Sequence, residues 1–297
     1  MVSGLVVLSS SGSAAQKAVS LPVTTLKLRP QGAKQRAASL KSEDHKLGSQ
    51  MHLGRKGGGA NLAKAVVAIV MDDLGPDVAA TRQAILLPPA VTMSFLPYAR
   101  DVAELARAAE ASGHEVIVHV PMQPLGPENP GPGALRVDLS AAQNQRRLSL
   151  DLARVPGADG INNHMGSRFT ADSEALVPVL EQLARTGDFF LDSRTNANTQ
   201  VVPLARKFGI LSSGRDVFLD DIPRREYLLR QLRLLRQVAE ANGVAIAIGH
   251  PHPVTLWAIK WWIAHHPGLH LVKLRTALRL KTRDALRRKS EKMHHLH

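Results

Sequence analysis

The sequence predicts an α/β fold, a distorted (β/α) barrel of about seven parallel strands. Two observations predict it. Short apolar runs alternate with helix-length segments from residue 65 to residue 275, the pattern of parallel strands joined by crossover helices. Most of these runs also end in a cluster of Asp, Asn or His. In a parallel barrel the carboxyl ends of all strands meet on one face, and that face carries the functional groups. Polar residues remote from each other in the chain would therefore converge.

In chain order, the apolar run 66–71 ends in Asp72 and Asp73, the run 91–95 in Leu96, Pro97 and Tyr98, and the run 116–118 in His119. The run ending at Ile161 meets Asn162, Asn163 and His164, and 189–191 ends in Asp192 and Ser193. Residues 217–219 end in Asp220 and Asp221, and 244–248 end in Gly249, His250, Pro251 and His252. A short eighth strand is expected within 269–274. Helices are expected over 101–112, 140–155, 173–185, 199–208 and 224–242. The second opens on Ser140, a good N-cap, and stops before Pro156; the last stops at Asn242-Gly243. Residues 123–139 contain Gly126, Pro127, Pro130, Gly131 and Pro132. They read as a long loop directly after His119, a position from which loops often cover a site.

The chain divides into a basic segment 1–64, read as disordered or targeting, a barrel domain 65–275, and a basic tail 276–297 with a terminal helix over 276–292. Residues 1–64 carry 10 Lys/Arg and 2 Asp/Glu, and residues 276–297 carry 7 and 2. These segments hold the whole formal charge of +13 and leave the barrel neutral. A neutral core without a recognised nucleic-acid motif excludes nucleic acid as the partner, and the tails read as solvated charge. Cys is absent, so disulfides and thiolate metal sites are excluded and any metal must be held by His and Asp/Glu. No apolar run approaches the ~18–20 residues that span a bilayer, so no transmembrane segment is expected. Residues 4–8 followed by small residues faintly resemble a secretion signal, which points to the bacterial periplasm or cell envelope.

Each polar cluster alone has an ordinary reading. Asp72-Asp73 suits a turn or helix cap, Asn162-Asn163 suits a turn, and Asp220-Asp221 before Ile222-Pro223 reads as the cap of the following helix. His252 can cap the next helix, and Trp257, Trp261 and Trp262 read as packing more than as a sugar platform. Recurrence at equivalent strand ends argues for a shared site.

The segments Asp72-Asp73-Leu74-Gly75, His119-Val120-Pro121-Met122, Asn162-Asn163-His164-Met165-Gly166-Ser167, Leu191-Asp192-Ser193 and Gly249-His250-Pro251 resemble the divergent polysaccharide deacetylase family. That family is related to the carbohydrate esterases of the chitin-oligosaccharide deacetylase type. The resemblance spans about 65–275, and its most specific element is the hexapeptide beginning at Asn162. It implies a distorted barrel, a divalent metal, usually zinc, and an N-acetylated polysaccharide or peptidoglycan-like glycan as substrate. In it Asp72 would be the general base, Asp73 a metal ligand and His250 the general acid. His119 and, by its chemistry instead of by motif alignment, His164 would complete a ligand set of one carboxylate and two imidazoles, a suitable set for zinc with an open position. Asp192 would orient a His or ligate the metal, and Asn163 and Ser167 would bond substrate or ligands. Backbone N–H groups near Leu96, Pro97 and Tyr98 would serve an oxyanion. One departure is visible: where better-known deacetylases place a second His four residues after the first, this chain has Gln123, which coordinates or hydrogen-bonds without charge. The expected function is a metal-dependent hydrolase that removes N-acetyl groups from an envelope glycan. The alternative is a non-catalytic envelope protein that keeps the fold and binds a glycan or a protein.

Overall fold

The computed structural model describes residues 65–266, 268 and 270–294; the expectations for 1–64 lie outside the described residues. The strands are β1 (Val66–Leu74), β2 (Thr92–Phe95), β3 (Val116–Met122), β4 (Gly160–Met165), β5 (Phe189–Asp192), β6 (Ser212–Gly214), β7 (Val217–Phe218), β8 (Val244–Gly249) and β9 (His270–Leu271). The helices are α1 (Val78–Ile85), α2 (Val102–Ala111), α3 (Ala141–Arg154), α4 (Ser173–Thr186), α5 (Val201–Lys207), α6 (Arg225–Asn242), α7 (Pro253–His265) and α8 (Leu274–His294).

All strand pairs are parallel, in the order β6-β5-β4-β3-β2-β1-β8-β7, with β9 beside the start of β1. The strand expected near 215 is two short pieces. β6 pairs with β5 and β7 with β8, and the hand-over falls between adjacent residues: Arg215 N–H donates to Asp192 O at 3.0 Å and Asp216 N–H to Ile246 O at 2.8 Å. One continuous segment therefore closes the ring, and the expected α/β distorted barrel is present.

Alternation along the strands divides the core into two layers. Ala68, Val70, Ile117, Phe189, Leu191, Val244, Ile246 and Ile248 form an inner cluster with Leu274, Ala277 and Leu278 of α8. Their neighbours Val67, Ile69, Met71, Val116, Val118, Phe190, Ala245 and Ala247 face outward and pack with Leu105, Leu148, Leu180 and Leu232 of the surrounding helices. The inner cluster is small, so helix α8 seals it from below. Its amino end is fixed by Leu274 N–H to Thr92 Oγ1 at 3.1 Å and by Arg275 N–H to Glu115 Oε2 at 3.1 Å. A domain boundary at 275/276 thus falls inside a helix whose first turns belong to the core.

Helix α3 starts as its sequence demands, with a capping box in which Ser140 accepts from Gln143 N–H and the Gln143 side chain accepts from Ser140 N–H. Helices α1 and α7 are not among those that periodicity predicts. The first is only two turns long, capped by Asp77. The second carries Leu256, Trp257, Ile259, Trp261, Trp262 and Ile263 with a single Lys, so it has no polar face to mark a period. Among the described residues no helix is long and apolar enough to cross a membrane.

Candidate metal centre

The inner alternation continues past the apolar residues into the polar strand ends. Ala68 and Val70 lead to Asp72, Ile117 to His119, and Ile246 and Ile248 to His250. The register pairs His119 with Asn162 and Pro121 with His164, so these side chains share the inner face. Asp73 should point outward by the same rule. Instead β1 shifts register against β2 between Met71 and Leu74, and Asp73 takes a left-handed conformation with φ of 58°. This bulge turns two consecutive carboxylates into one site. After His164 the chain turns through Met165 and Gly166, with φ of 51° and 88°. A Cβ on Gly166 would stand 2.9 Å from that of Met122, so glycine permits the tight exit.

Three donor atoms meet at the centre. Asp73 Oδ1 lies 3.0 Å from His164 Nδ1 and 3.3 Å from His119 Nε2, and the two ring nitrogens are 3.1 Å apart. Tetrahedral ligands at ~2.0–2.1 Å from zinc stand about 3.3–3.4 Å from each other, so this triangle is nearly the face of such a site. Asp73 Oδ1 is buried, yet it makes no contact of hydrogen-bond geometry. Two facing ring nitrogens must share either a proton or a cation. The donor set therefore fits a divalent ion. Burial alone would raise the Asp73 pKa, but His119 and His164 outweigh it and hold the carboxyl well below the usual range. Burial likewise opposes a charge on His119, while Asp72 and Asp73 outweigh it and raise its pKa.

Behind the triangle lies a buried polar network. His119 Nδ1 is 2.8 Å from Asn162 Oδ1, which also accepts from Ser94 Oγ at 2.7 Å. Asn162 Nδ2 donates to Asp72 Oδ1 and Oδ2 at 2.8 and 2.9 Å. It also reaches Ser193 Oγ at 3.3 Å. Asp72 Oδ2 stands 3.7 Å from His119 Nε2.

On the opposite side His250 Nε2 faces Asp73 Oδ2 at 3.8 Å, while His250 Nδ1 bonds Asp220 Oδ1 at 3.0 Å. Asp220 Oδ2 accepts from the His250 N–H at 2.6 Å and from Thr255 Oγ1 at 2.9 Å. The reading of Asp220 as a helix cap is thereby corrected: α6 begins at Arg225, its N-cap residue is Arg224, which makes no side-chain cap bond, and Asp220 bonds the histidine instead. Burial would lower the His250 pKa, but Asp220, with Asp72 and Asp73, pushes it up to about 9. A cleft of about 1250 Å³ opens here between Asp73, Asp77, Phe218, His250, His252 and Trp257.

The other expected residues are placed as follows. Asn163 and Asp192 fall on the outer parity. Asn163 holds the strand ends together, accepting from Ser193 N–H at 2.9 Å and donating to Met165 O at 2.7 Å. Asp192 accepts from Arg194 N–H at 2.8 Å, and burial raises its pKa. Among the described residues no imidazole bonds to Asp192. Ser167 Oγ accepts from Leu125 N–H at 2.8 Å and Gln123 Oε1 from Val137 N–H at 2.9 Å, so both organise the loop after β3. His164 takes the place beside His119 that Gln123 does not. His252 is the N-cap residue of α7 without a side-chain cap bond. Trp262 is in the core, and Trp257 is stacked between Trp261 and the Arg225 guanidinium. Leu96 N–H donates to Leu74 O and Ala99 N–H to Leu96 O, whereas the Tyr98 N–H has no acceptor among the described residues. Asn162 and Asp220 are the two residues bonded to this cluster that the sequence reading does not include among its candidate site residues. Their signal, a polar residue on the inner parity at a strand end, was present but shared with ordinary turn chemistry.

A closed parallel barrel with one carboxylate and two imidazoles at its carboxyl face defines a deacetylase-like α/β protein with a group able to hold a metal ion. The chain belongs to the divergent polysaccharide deacetylase family, whose sequence model matches residues 69–278. It is 36% identical over 213 residues to the uncharacterized protein YibQ of Escherichia coli (strain K12), covering 71% of this chain and 67% of that protein. An uncharacterized protein of Haemophilus influenzae is 32% identical over 207 residues, covering 70% of this chain and 74% of the relative. Among solved structures, the uncharacterized protein ATU2773 from Agrobacterium tumefaciens C58 superposes with a TM-score of 0.70 at 30% identity, over 75% of this chain and 92% of that one.

Proposed function

We propose that this protein is a metal-dependent hydrolase that removes N-acetyl groups from an N-acetylated glycan of the bacterial envelope. The observation that carries this reading is the triangle of Asp73, His119 and His164, with Asp72 on one side and His250 on the other. Family membership supports the deacetylase chemistry and the glycan class.

A divalent ion held by these three residues, zinc being the metal that best suits two imidazoles and a carboxylate, would polarise the amide carbonyl and lower the pKa of water toward ~7. Asp72, aimed by two hydrogen bonds, takes the proton of the attacking water. The Tyr98 N–H would serve as a backbone donor to the negative charge that develops on the carbonyl oxygen. As the C–N bond breaks, His250 gives its Nε2 proton to the departing amine. Asp220 keeps the ring in place and keeps the proton on it. The products are acetate and a free amine. Gln123, Asn163 and Ser167 contribute by fixing the walls around the centre.

The test is acetate release from N-acetylated oligosaccharides and peptidoglycan fragments by the full chain, with zinc and after chelation. Metal-dependent release supports the proposal. Glycan binding with no metal-dependent release would move the assignment to a non-catalytic glycan-binding protein.

A further inference from the structure

The buried amide of Asn162 stands at the crossing of the candidate ligand set and the candidate base. We propose that Asn162 is a positioning residue that fixes His119 as a metal ligand and Asp72 as a directed carboxylate. The inference rests on the metal-centre reading of Asp73, His119 and His164, and it adds a residue that this reading does not contain.

The orientation of the amide follows from its neighbours. Asn162 has no solvent-exposed surface, so both its ends must find partners within the protein. One end faces both oxygens of Asp72 at 2.8 and 2.9 Å. Two carboxyl oxygens offer at most one hydrogen between them, so the end that meets both is the NH₂ group; a flipped amide would set three oxygens against each other. The carbonyl oxygen then faces Ser94 Oγ at 2.7 Å and His119 Nδ1 at 2.8 Å. A carbonyl oxygen cannot donate, so Nδ1 of His119 must carry a proton. In the neutral ring the lone pair is then left on Nε2, the nitrogen that faces Asp73 and His164. One amide thus selects the ligating tautomer of one residue and holds the carboxylate of another. Ser94 and Ser193 hold the amide in turn, from β2 and from the end of β5. Outer-shell partners of this kind set ligand orientation and basicity.

The expected behaviour differs from that of a residue that merely packs. Asn162→Leu keeps the volume and removes both functions. It should lower zinc affinity ~10–100-fold, measured by competition with a chromophoric chelator. Proton NMR of the full chain should show an exchange-protected His119 Nδ1–H in the wild type that is lost in Asn162→Leu. Wild-type zinc affinity in a folded Asn162→Leu overturns the proposal. If Asn162→Leu does not fold, the wild-type spectrum still decides, because a neutral His119 protonated on Nε2 overturns it. None of these measurements needs a glycan. A wild type that binds zinc but releases no acetate would therefore sink the proposed function and leave the role of Asn162 standing.

Discussion

Asp220 grips His250 at two points, accepting from its Nδ1 at 3.0 Å and from its backbone N–H at 2.6 Å. The residues are thirty positions apart and meet because the β7 end lies beside the β8 end. The carboxylate fixes the ring, points Nε2 at the centre, and raises the ring pKa to about 9 against the burial that opposes it. Asp220→Asn should bring that pKa down toward 6.5, as read by NMR titration of the ring in metal-free protein. Turnover should fall ~10-fold or more, since His250, the proposed general acid, loses orientation and protonation together, while zinc affinity stays unchanged.

His164 and Gln123 should behave oppositely. His164→Ala removes one of three close donors and should weaken zinc binding by more than ~100-fold in isothermal titration calorimetry. Gln123→Ala should leave zinc affinity intact. It removes the acceptor of the Val137 N–H and should cost about 1 kcal/mol of stability in denaturant unfolding. A large loss of metal from Gln123→Ala would add that residue to the ligand set.

Asp72 and Asp73 are adjacent but should give different losses. Asp72→Asn should retain zinc and lower turnover ~10²-fold or more, as loss of a general base does. Asp73→Asn should instead lower zinc affinity. Equal loss of metal in both variants would contradict this division of labour.

Asp151 predicts a pH dependence away from the centre. This residue of α3 is buried, and burial pushes its pKa up to about 7, with Arg147 only partly opposing. The folded-state pKa is raised above the unfolded one, so the folded protein holds the proton more tightly. Its relative stabilisation is complete below about pH 4 and is lost as pH rises toward 7. Asp151→Asn removes that loss. It should raise unfolding stability at pH 7.5 by an amount on the order of 2 kcal/mol and have little effect near pH 4. Thermal unfolding at the two pH values checks the sign.

Much of the site was legible because period-two alternation and strand-end position are local properties. Asp72, His119, His164 and His250 follow from where apolar runs stop, and the structure brings all four to one face. Asp192 and Asn163 carry the same local signal but sit on the outer parity, where they hold loops. Asp73 shows the reverse: alternation sends it outward, and a bulge brings it in. Helix α7 escaped detection because its apolar residues surround the axis and leave no stripe.

By itself the sequence determined the class of fold, the order of the elements, and the pool of ionisable residues at strand ends, since these depend on residues a few positions apart. Family membership was likewise legible in the short motifs. Only the tertiary structure decided how those residues pair. The closing of the ring by 212–218, the contact of Asp220 with His250 thirty residues away, and the binding of Asp72 by Asn162 ninety residues away all depend on strand register. Register is set by packing across the whole barrel, and a shift of one residue exchanges the inner face for the outer one.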